Sequence, residues 1–311
     1  METKKPLWFR MIKTCMAVIL SIVVIVLFVG FVGVGAAAGL VASLVKDQDI
    51  PSKEELARDI QNFSQTSYIY DRNEKRIGSG ELRTADDREL VTINEVSPYI
   101  IDAFISTEDK EFYEHNGVVP RSILRAAIQD LTGSATTSGG STITQQLVKL
   151  SVLKNPEQTD SRKAREIFLA LRLERLFDKE DILTSYLNRI YFGQGASNEH
   201  LYGIEAAAEG IFGVKAKDVN LAQAAYLAGI PQRPNGYSPF SEETLAAGIE
   251  RQHTVLRRML TNGNITEEEF EEAKQFDIAE SLAKAKKHTY DQYPYLYEAV
   301  HKRAALALMK T

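Results

Sequence analysis

Three hydrophobic patterns follow one another along the chain. From Cys15 to Val45 there is no charged residue, and Val, Ile, Leu, Gly and Ala dominate. This run exceeds the roughly 20 residues that span bilayer hydrocarbon, so it predicts one membrane helix. A cleaved signal peptide competes with that reading, but its apolar region is usually about 7–15 residues, which favours an uncleaved anchor. Short alternating stretches come next. Tyr68-Ile69-Tyr70, the turn residues Asp71-Arg72-Asn73 and then Arg76-Ile77 predict a small β-hairpin, with Leu90-Val91-Thr92 as a third short strand. From Ser97 to Phe276 nearly every segment has a helical period.

The helices have marked ends. Ser52 and Glu55 make a capping-box sequence, as do Thr266 and Glu269. Ser97 is a natural N-cap, and Pro98 suits the first helical position, where its missing N–H costs nothing. Pro120 opens a helix carrying Ile123, Leu124, Ala127 and Ile128. Pro231 and Pro234 close the Ala-rich helix Leu221 to Ile230, and a helix from about Thr244 to Leu260 stops at Asn262-Gly263. Beyond Ile278 the chain turns Lys/Ala-rich, then Tyr-rich around Tyr290 to Tyr297.

Two stripes carry candidate chemistry. On the helix after Pro98, Ile101, Phe104 and Ile105 form a core-facing stripe whose i+7 position is Glu108, with Phe112 and His115 next on the same face if the helix continues. A carboxylate in an apolar setting suits a general base. The plainer alternative is a helix that frays at Thr107 and leaves Glu108 in water. Farther on, Ile143, Leu147 and Leu150 make one apolar stripe, and Thr142, Gln146 and Lys149 a parallel one of hydrogen-bonding groups. The small-residue loop Ser138-Gly139-Gly140-Ser141 feeds that helix, whose free N–H groups and dipole favour an anion. The next helix opens Ser161-Arg162-Lys163-Ala164-Arg165-Glu166 and is then apolar almost all round, which implies burial. Arg162 and Glu166 are either a helix salt bridge or part of a basic, phosphate-binding rim; the residues alone favour neither.

Composition narrows the setting. Of 311 residues, 44% are hydrophobic and 25% charged, enough for one large core or two small ones. Lys4, Lys5, Arg10 and Lys13 precede the apolar run, and Trp8 and Phe9 suit a membrane interface, which predicts a cytoplasmic N-terminus with the rest outside. Residues 1–13 carry +3 of a total of −5, leaving −8 for the remainder, which argues against nucleic acid as a partner. Cys15 is the one cysteine, so the exported part has no disulfide or thiol chemistry. The five histidines lack metal-ligand spacing. Two Ser-x-x-Lys matches, at Ser43 and Ser151, lack an accompanying Lys-Thr-Gly.

In order along the chain stand Glu108-Asp109-x-x-Phe112-x-x-His115-x-Gly117, Gly139-Gly140-Ser141-Thr142-Ile143-Thr144-Gln145-Gln146-Leu147-x-Lys149 and Arg162-Lys163-x-x-Glu166. Tyr186-Leu187-Asn188-Arg189-Ile190-Tyr191-Phe192-Gly193 and Ala225-Tyr226-Leu227-Ala228-Gly229-Ile230-Pro231-Gln232 follow. Together these resemble the family 51 peptidoglycan glycosyltransferase domain of class A penicillin-binding proteins and monofunctional transglycosylases. One departure is Leu150, where the family usually has Asn. The resemblance implies a mainly α, lysozyme-like domain with a small β-hairpin region and one N-terminal transmembrane helix. It divides the chain into a cytoplasmic tail (1–13), anchor (14–45), stalk (46–66), glycosyltransferase domain (67–277) and a linker toward a missing transpeptidase domain (278–311).

The same resemblance implies polymerisation of lipid II into glycan strands by inverting transfer to the acceptor sugar's 4-hydroxyl. Glu108 matches the general base, and Glu166 the second carboxylate, which assists the leaving pyrophosphate directly or through a divalent cation (Mg or Mn). Asp109, Phe112 and His115 match residues shaping the first-motif site, with Asp109 the candidate metal ligand. Thr142, Gln146, Lys149 and Arg162 match binders of the donor's sugar and pyrophosphate. The implied partners are lipid II, the growing strand, the membrane and other cell-wall synthesis proteins. The rival readings are a lysozyme-like lytic transglycosylase or muramidase, and an inactive wall-synthesis scaffold.

Overall fold

The computed structural model describes residues 7–45, 50–63, 67–81, 86–123, 125, 140–153, 160–285 and 289–308. Gly139 and most of the helix expected after Pro120 lie outside them. The chain divides into two compact units, Met1–Ile50 with Pro156–Phe168, and Pro51–Asn155 with Leu169–Thr311. In the first unit, α1 (Leu7–Val45) is 39 residues long. At about 1.5 Å per residue it outruns the roughly 30 Å of bilayer hydrocarbon. Its stretch Thr14–Val32 is long and apolar enough to cross a membrane.

The second unit opens with α2 (Lys53–Gln61), which has the capping box read from Ser52 and Glu55. Leu56 and Ile60 on this helix are fully buried. Arg189 donates to the Asp59 carbonyl at 2.8 Å and Arg172 to the Pro51 carbonyl at 3.0 Å, so both ends of α2 are fastened. From Pro51 to Asn62, the stretch read as a stalk is therefore part of the packed unit.

Strands β1 (Tyr68–Tyr70) and β2 (Arg76–Glu81) form the expected antiparallel hairpin. The third strand is not Leu90–Thr92. Val91 pairs instead with the buried Asn188 side chain, donating to Oδ1 at 3.0 Å and accepting from Nδ2 at 2.8 Å, so an amide takes the place of a strand. Strand β3 (Asp86–Asp87) runs parallel to a strand far along the chain, described below.

Helix α3 (Pro98–Glu108) starts on Pro98 as expected, but Ser97 makes no side-chain cap. Its hydroxyl donates to the Val219 carbonyl at 2.9 Å instead. Then follow α4 (Ile143–Ser151), α5 (Asp160–Leu176), which crosses from the first unit into the second, and α6 (Lys179–Leu187). Two strands, β4 (Tyr191–Gln194) and β5 (His200–Tyr202), stand where helix was expected. They pair antiparallel, with β3 on the other side of β5.

The core is built on α8 (Leu221–Gly229), which follows α7 (Ile204–Phe212) and is buried at every position. Its alanines let α3 and the long α9 (Glu242–Asn262), which also pack on each other, lie close against it. Gly248 of α9 is one point of that approach. A Cβ there would stand 2.2 Å from the Tyr226 hydroxyl, which donates to the Tyr237 carbonyl at 2.9 Å. Gly263 ends α9 in the left-handed conformation as read, and α10 (Glu267–Gln275) has its capping box. Farther on come α11 (Thr289–Gln292) and α12 (Pro294–Leu308). Thr289 is buried and donates to the Ile77 carbonyl at 2.9 Å, pinning α11 to β2.

Candidate active site

The site forms where the end of α3 meets the start of α4. The inward face of α3 is Ile100, Ala103 and Phe104, all fully buried, while Ile101 and Ile105 are half-buried. The stripe that leads to Glu108 is thus the rim of the buried face and not its centre. Glu108 is the last helical residue and half-buried, and the backbone turns out of the helix at Asp109. Phe112 and His115 therefore follow in a loop.

Glu108 is held by a short chain of hydrogen bonds. Gln146 Nε2 donates to Glu108 Oε2 at 2.8 Å, and the Tyr186 hydroxyl donates to Gln146 Oε1 at 3.0 Å. Burial pushes the Tyr186 phenol well above its usual pKa, and the charges of Glu108 and Asp109 push it further, so it remains a donor. A fixed donor orients the Gln146 amide, which presents its N–H to Glu108.

Behind Glu108 lies a second, fully committed set. Asp109 is buried, and its Oδ2 accepts from the Ile143 amide at 2.9 Å and meets His115 Nε2 at 2.8 Å. Gly117 N–H donates to His115 Nδ1 at 3.0 Å, so the neutral ring carries its proton on Nε2 and donates it to Asp109. Thr142 caps α4 through its capping box with Gln145 and donates to the Gly117 carbonyl at 2.6 Å. The negative Asp109 thus sits on the positive end of α4. Gly117 has φ +91°, and a Cβ there would come within 2.6 Å of the Ala170 carbonyl oxygen. Only glycine fits this turn.

Phe112 is fully buried and lies edge-on to His115. Lys179 stands 4.5 Å from its ring centre, donates to the His115 carbonyl at 2.7 Å and pairs with Glu174 at 2.8 Å. Thr144 of α4 donates to the same Glu174 oxygen at 2.5 Å. Asp109, Phe112 and His115, expected to shape the first-motif site, and Thr142, expected to bind the donor, join here into a brace between the Glu108 turn and α4. Sequence reasoning missed Tyr186, Glu174 and Lys179 as members of this assembly. Tyr186 stood only inside a matching motif, and the Glu174–Lys179 pair looks like any helix-surface ion pair until burial is known.

Lys149 is exposed, one turn beyond Gln146. Leu150 does not complete the apolar stripe: it is 44% exposed, and α4 buries Ile143, Leu147, Val148 and Ser151 instead. A cavity of about 780 Å³ opens beside Glu108. Ser141 and Thr142 line it from one direction, and Thr254, Arg257, Arg258 and Thr261 from α9.

Arg162 and Glu166 belong to the first unit. Glu166 is buried and paired with Lys163, at i, i+3. No cluster of three or more His, Cys, Asp or Glu suited to a metal occurs among the described residues. Asp109 Oδ2 already serves two donors, which leaves Oδ1 as the oxygen through which this carboxylate would hold a cation.

The transglycosylase family model matches residues 74–260, more than half the chain and all of the Glu108 site. The chain belongs to the transglycosylase family. Penicillin-binding protein 1A of Aquifex aeolicus is 39% identical over 74% of this transglycosylase chain and 30% of its own length. Penicillin-binding protein 1A/1B of Bacillus subtilis is 37% identical over 86% of this chain and 28% of its own. For penicillin-binding protein 1A of Escherichia coli the figures are 41%, 59% and 21%. The chain thus spans a third or less of the length of these relatives. A crystal structure of penicillin-binding protein 1A from Haemophilus influenzae aligns with 72% of this chain and 22% of its own, at 23% identity and a TM-score of 0.39. That level of likeness adds nothing to the fold described above.

Proposed function

We propose that this transglycosylase polymerises lipid II into peptidoglycan glycan strands by inverting glycosyl transfer. The observation that carries the proposal is the Glu108 carboxylate, fixed by Gln146 and Tyr186 at the edge of an open cavity. Glu108 takes the proton from the acceptor sugar's 4-hydroxyl as that oxygen attacks the donor's anomeric carbon. The bond from that carbon to the lipid diphosphate breaks, its electron pair leaves with the diphosphate, and the configuration inverts. A diphosphate leaving group needs charge neutralisation more than a proton. We assign that task to the cations, the exposed Lys149 and, on its sequence motif alone, Arg162; Glu166 keeps the role of second carboxylate that the same motif implies. The basic residues ahead of the apolar run Cys15–Val45 give the anchor a cytoplasmic N-terminus, leaving the catalytic part outside with the membrane, lipid II and wall-synthesis proteins as partners.

The test is incubation of the detergent-solubilised chain with lipid II and sizing of the product. High-molecular-weight glycan is expected. Release of muropeptides from purified sacculi with no polymer from lipid II would replace this reading with a lytic one.

A further inference from the structure

Tyr186, Gln146 and Glu108 form a hydrogen-bond chain that can run in two directions, because an amide accepts at one end and donates at the other, and a hydroxyl does either. In the direction found, the Tyr186 hydroxyl donates to Gln146 Oε1 at 3.0 Å and Gln146 Nε2 donates to Glu108 Oε2 at 2.8 Å, which suits an ionised carboxylate. In the reverse direction the amide turns over. Nε2 then donates to the phenol oxygen, and Oε1 accepts a proton that only the acid form of Glu108 can offer. The two directions are not equivalent. Tyr186, on α6, is 1% exposed, and its ring stands edge-on to Phe104 of α3 at 6.3 Å, which meets Phe192 of β4 in the same way at 6.2 Å. The hydroxyl therefore cannot swing out to water. Its one hydrogen-bond partner among the described residues is Gln146. Reversal would leave a buried O–H with no acceptor, which the folded protein disfavours.

This inference rests on the glycosyl-transfer reading above. We propose that Tyr186 is a positioning residue for that reaction: its buried O–H sets the direction of the chain, keeps the Gln146 N–H on Glu108 Oε2, and leaves Oε1 to take the proton of the acceptor's 4-hydroxyl. The proton passes to Oε1 as the sugar oxygen uses the freed electron pair to attack. Glu108, now an acid, must return that proton to water before the next transfer. Because Gln146 cannot turn over to accept from the acid, the chain favours the carboxylate and resets the base between additions. Glu108 also faces fixed charges: Asp109, Lys110 and the Glu111–Arg121 pair in the loop after it, Arg125 in the same cavity, Lys149 on α4, and Arg251, Arg257 and Arg258 on α9. A change confined to the Tyr186 hydroxyl alters none of them.

The experiment measures polymerisation of lipid II by the full chain in detergent, as a function of pH, for the parent and Tyr186→Phe, with both melting temperatures recorded. Without the hydroxyl the amide turns over freely, and the acid form of Glu108 gains a partner. The acid limb of the kcat/KM profile should therefore move to higher pH by about one unit, equivalent to an about tenfold bias between the two directions. The rate should return to near the parent's above the limb, with KM there within about twofold. In a Gln146→Leu background, where the chain is cut at its middle, Tyr186→Phe should move the limb no further. A rate lowered equally at every pH, or a limb displaced as far in the Gln146→Leu background, overturns the inference, since either would mark Tyr186 as merely structural. Should Tyr186→Phe fail to fold, Tyr186→fluorotyrosine keeps the shape with a stronger donor and should move the limb to lower pH; no movement, or movement upward, overturns the inference equally. If the parent makes no polymer, the glycosyl-transfer reading fails; if it polymerises and Tyr186→Phe shares its pH profile, only this inference fails.

Discussion

Replacing Asp109 by Ala separates a bracing role from a metal-binding one. Asp109 is 7% exposed, and its Oδ2 is the acceptor for the Ile143 amide and for His115 Nε2. Truncation leaves two buried donors unsatisfied, at about 1–3 kcal/mol each. It also removes the anion from the N-terminus of α4, a further ~0.3–1 kcal/mol. The sum is roughly 2–7 kcal/mol, and at about 2–4 °C per kcal/mol for a domain of this size the melting temperature should fall by about 5–28 °C. Asp109→Asn keeps one oxygen and should lose about half as much. The assay is thermal unfolding in detergent beside polymer yield from lipid II, with and without added Mg or Mn. Activity should fall with stability and should not return with metal. A melting temperature within about 1 °C of the parent, with activity restored by excess metal, would refute the bracing role and make Asp109 a cation ligand.

Two further predictions concern the same unit. Gly117→Ala puts a Cβ 2.6 Å from the Ala170 carbonyl oxygen at φ +91°, so it should cost at least about 2 kcal/mol and lower polymer yield. An unchanged melting temperature would show that the turn can relax. The second concerns Lys215, which pairs with Glu209 at 2.8 Å and Glu205 at 2.9 Å, while Arg76 reaches Glu209 at 3.2 Å. Burial alone would raise the Glu209 carboxyl, but Lys215 and Arg76 outweigh it and hold it below its ordinary 4.5. A depressed carboxylate contributes stability that is present above that value and lost as pH falls through the folded one. Lys215→Met should therefore melt earlier than the parent at about pH 7, with the gap closing toward about pH 3. A constant gap across that range would contradict the assignment.

What the sequence made legible was local. The caps at Ser52 and Thr266 and the stop at Gly263 depend on neighbours three residues away or fewer, and all three are found. Periodicity located α3 and α4 but turned each by about one position, taking Ile101 and Leu150 as core where Ala103 and Val148 are buried. Which of two adjacent stripes faces inward is decided by what packs against it, and that partner is distant in sequence. Strands β4 and β5 have four and three residues, too few for a period of two to stand out among helices. The bond from Ile143 to Asp109 spans 34 residues, so no local pattern announces that the first motif is clamped to the second.

The most direct measurement compares polymer made from lipid II by the parent and by Glu108→Gln, with both melting temperatures recorded. Loss of the general base should lower the polymerisation rate by at least about 100-fold while folding is unchanged. Comparable polymer from the two proteins would mean that Glu108 is not the proton acceptor, and the proposed mechanism would be wrong.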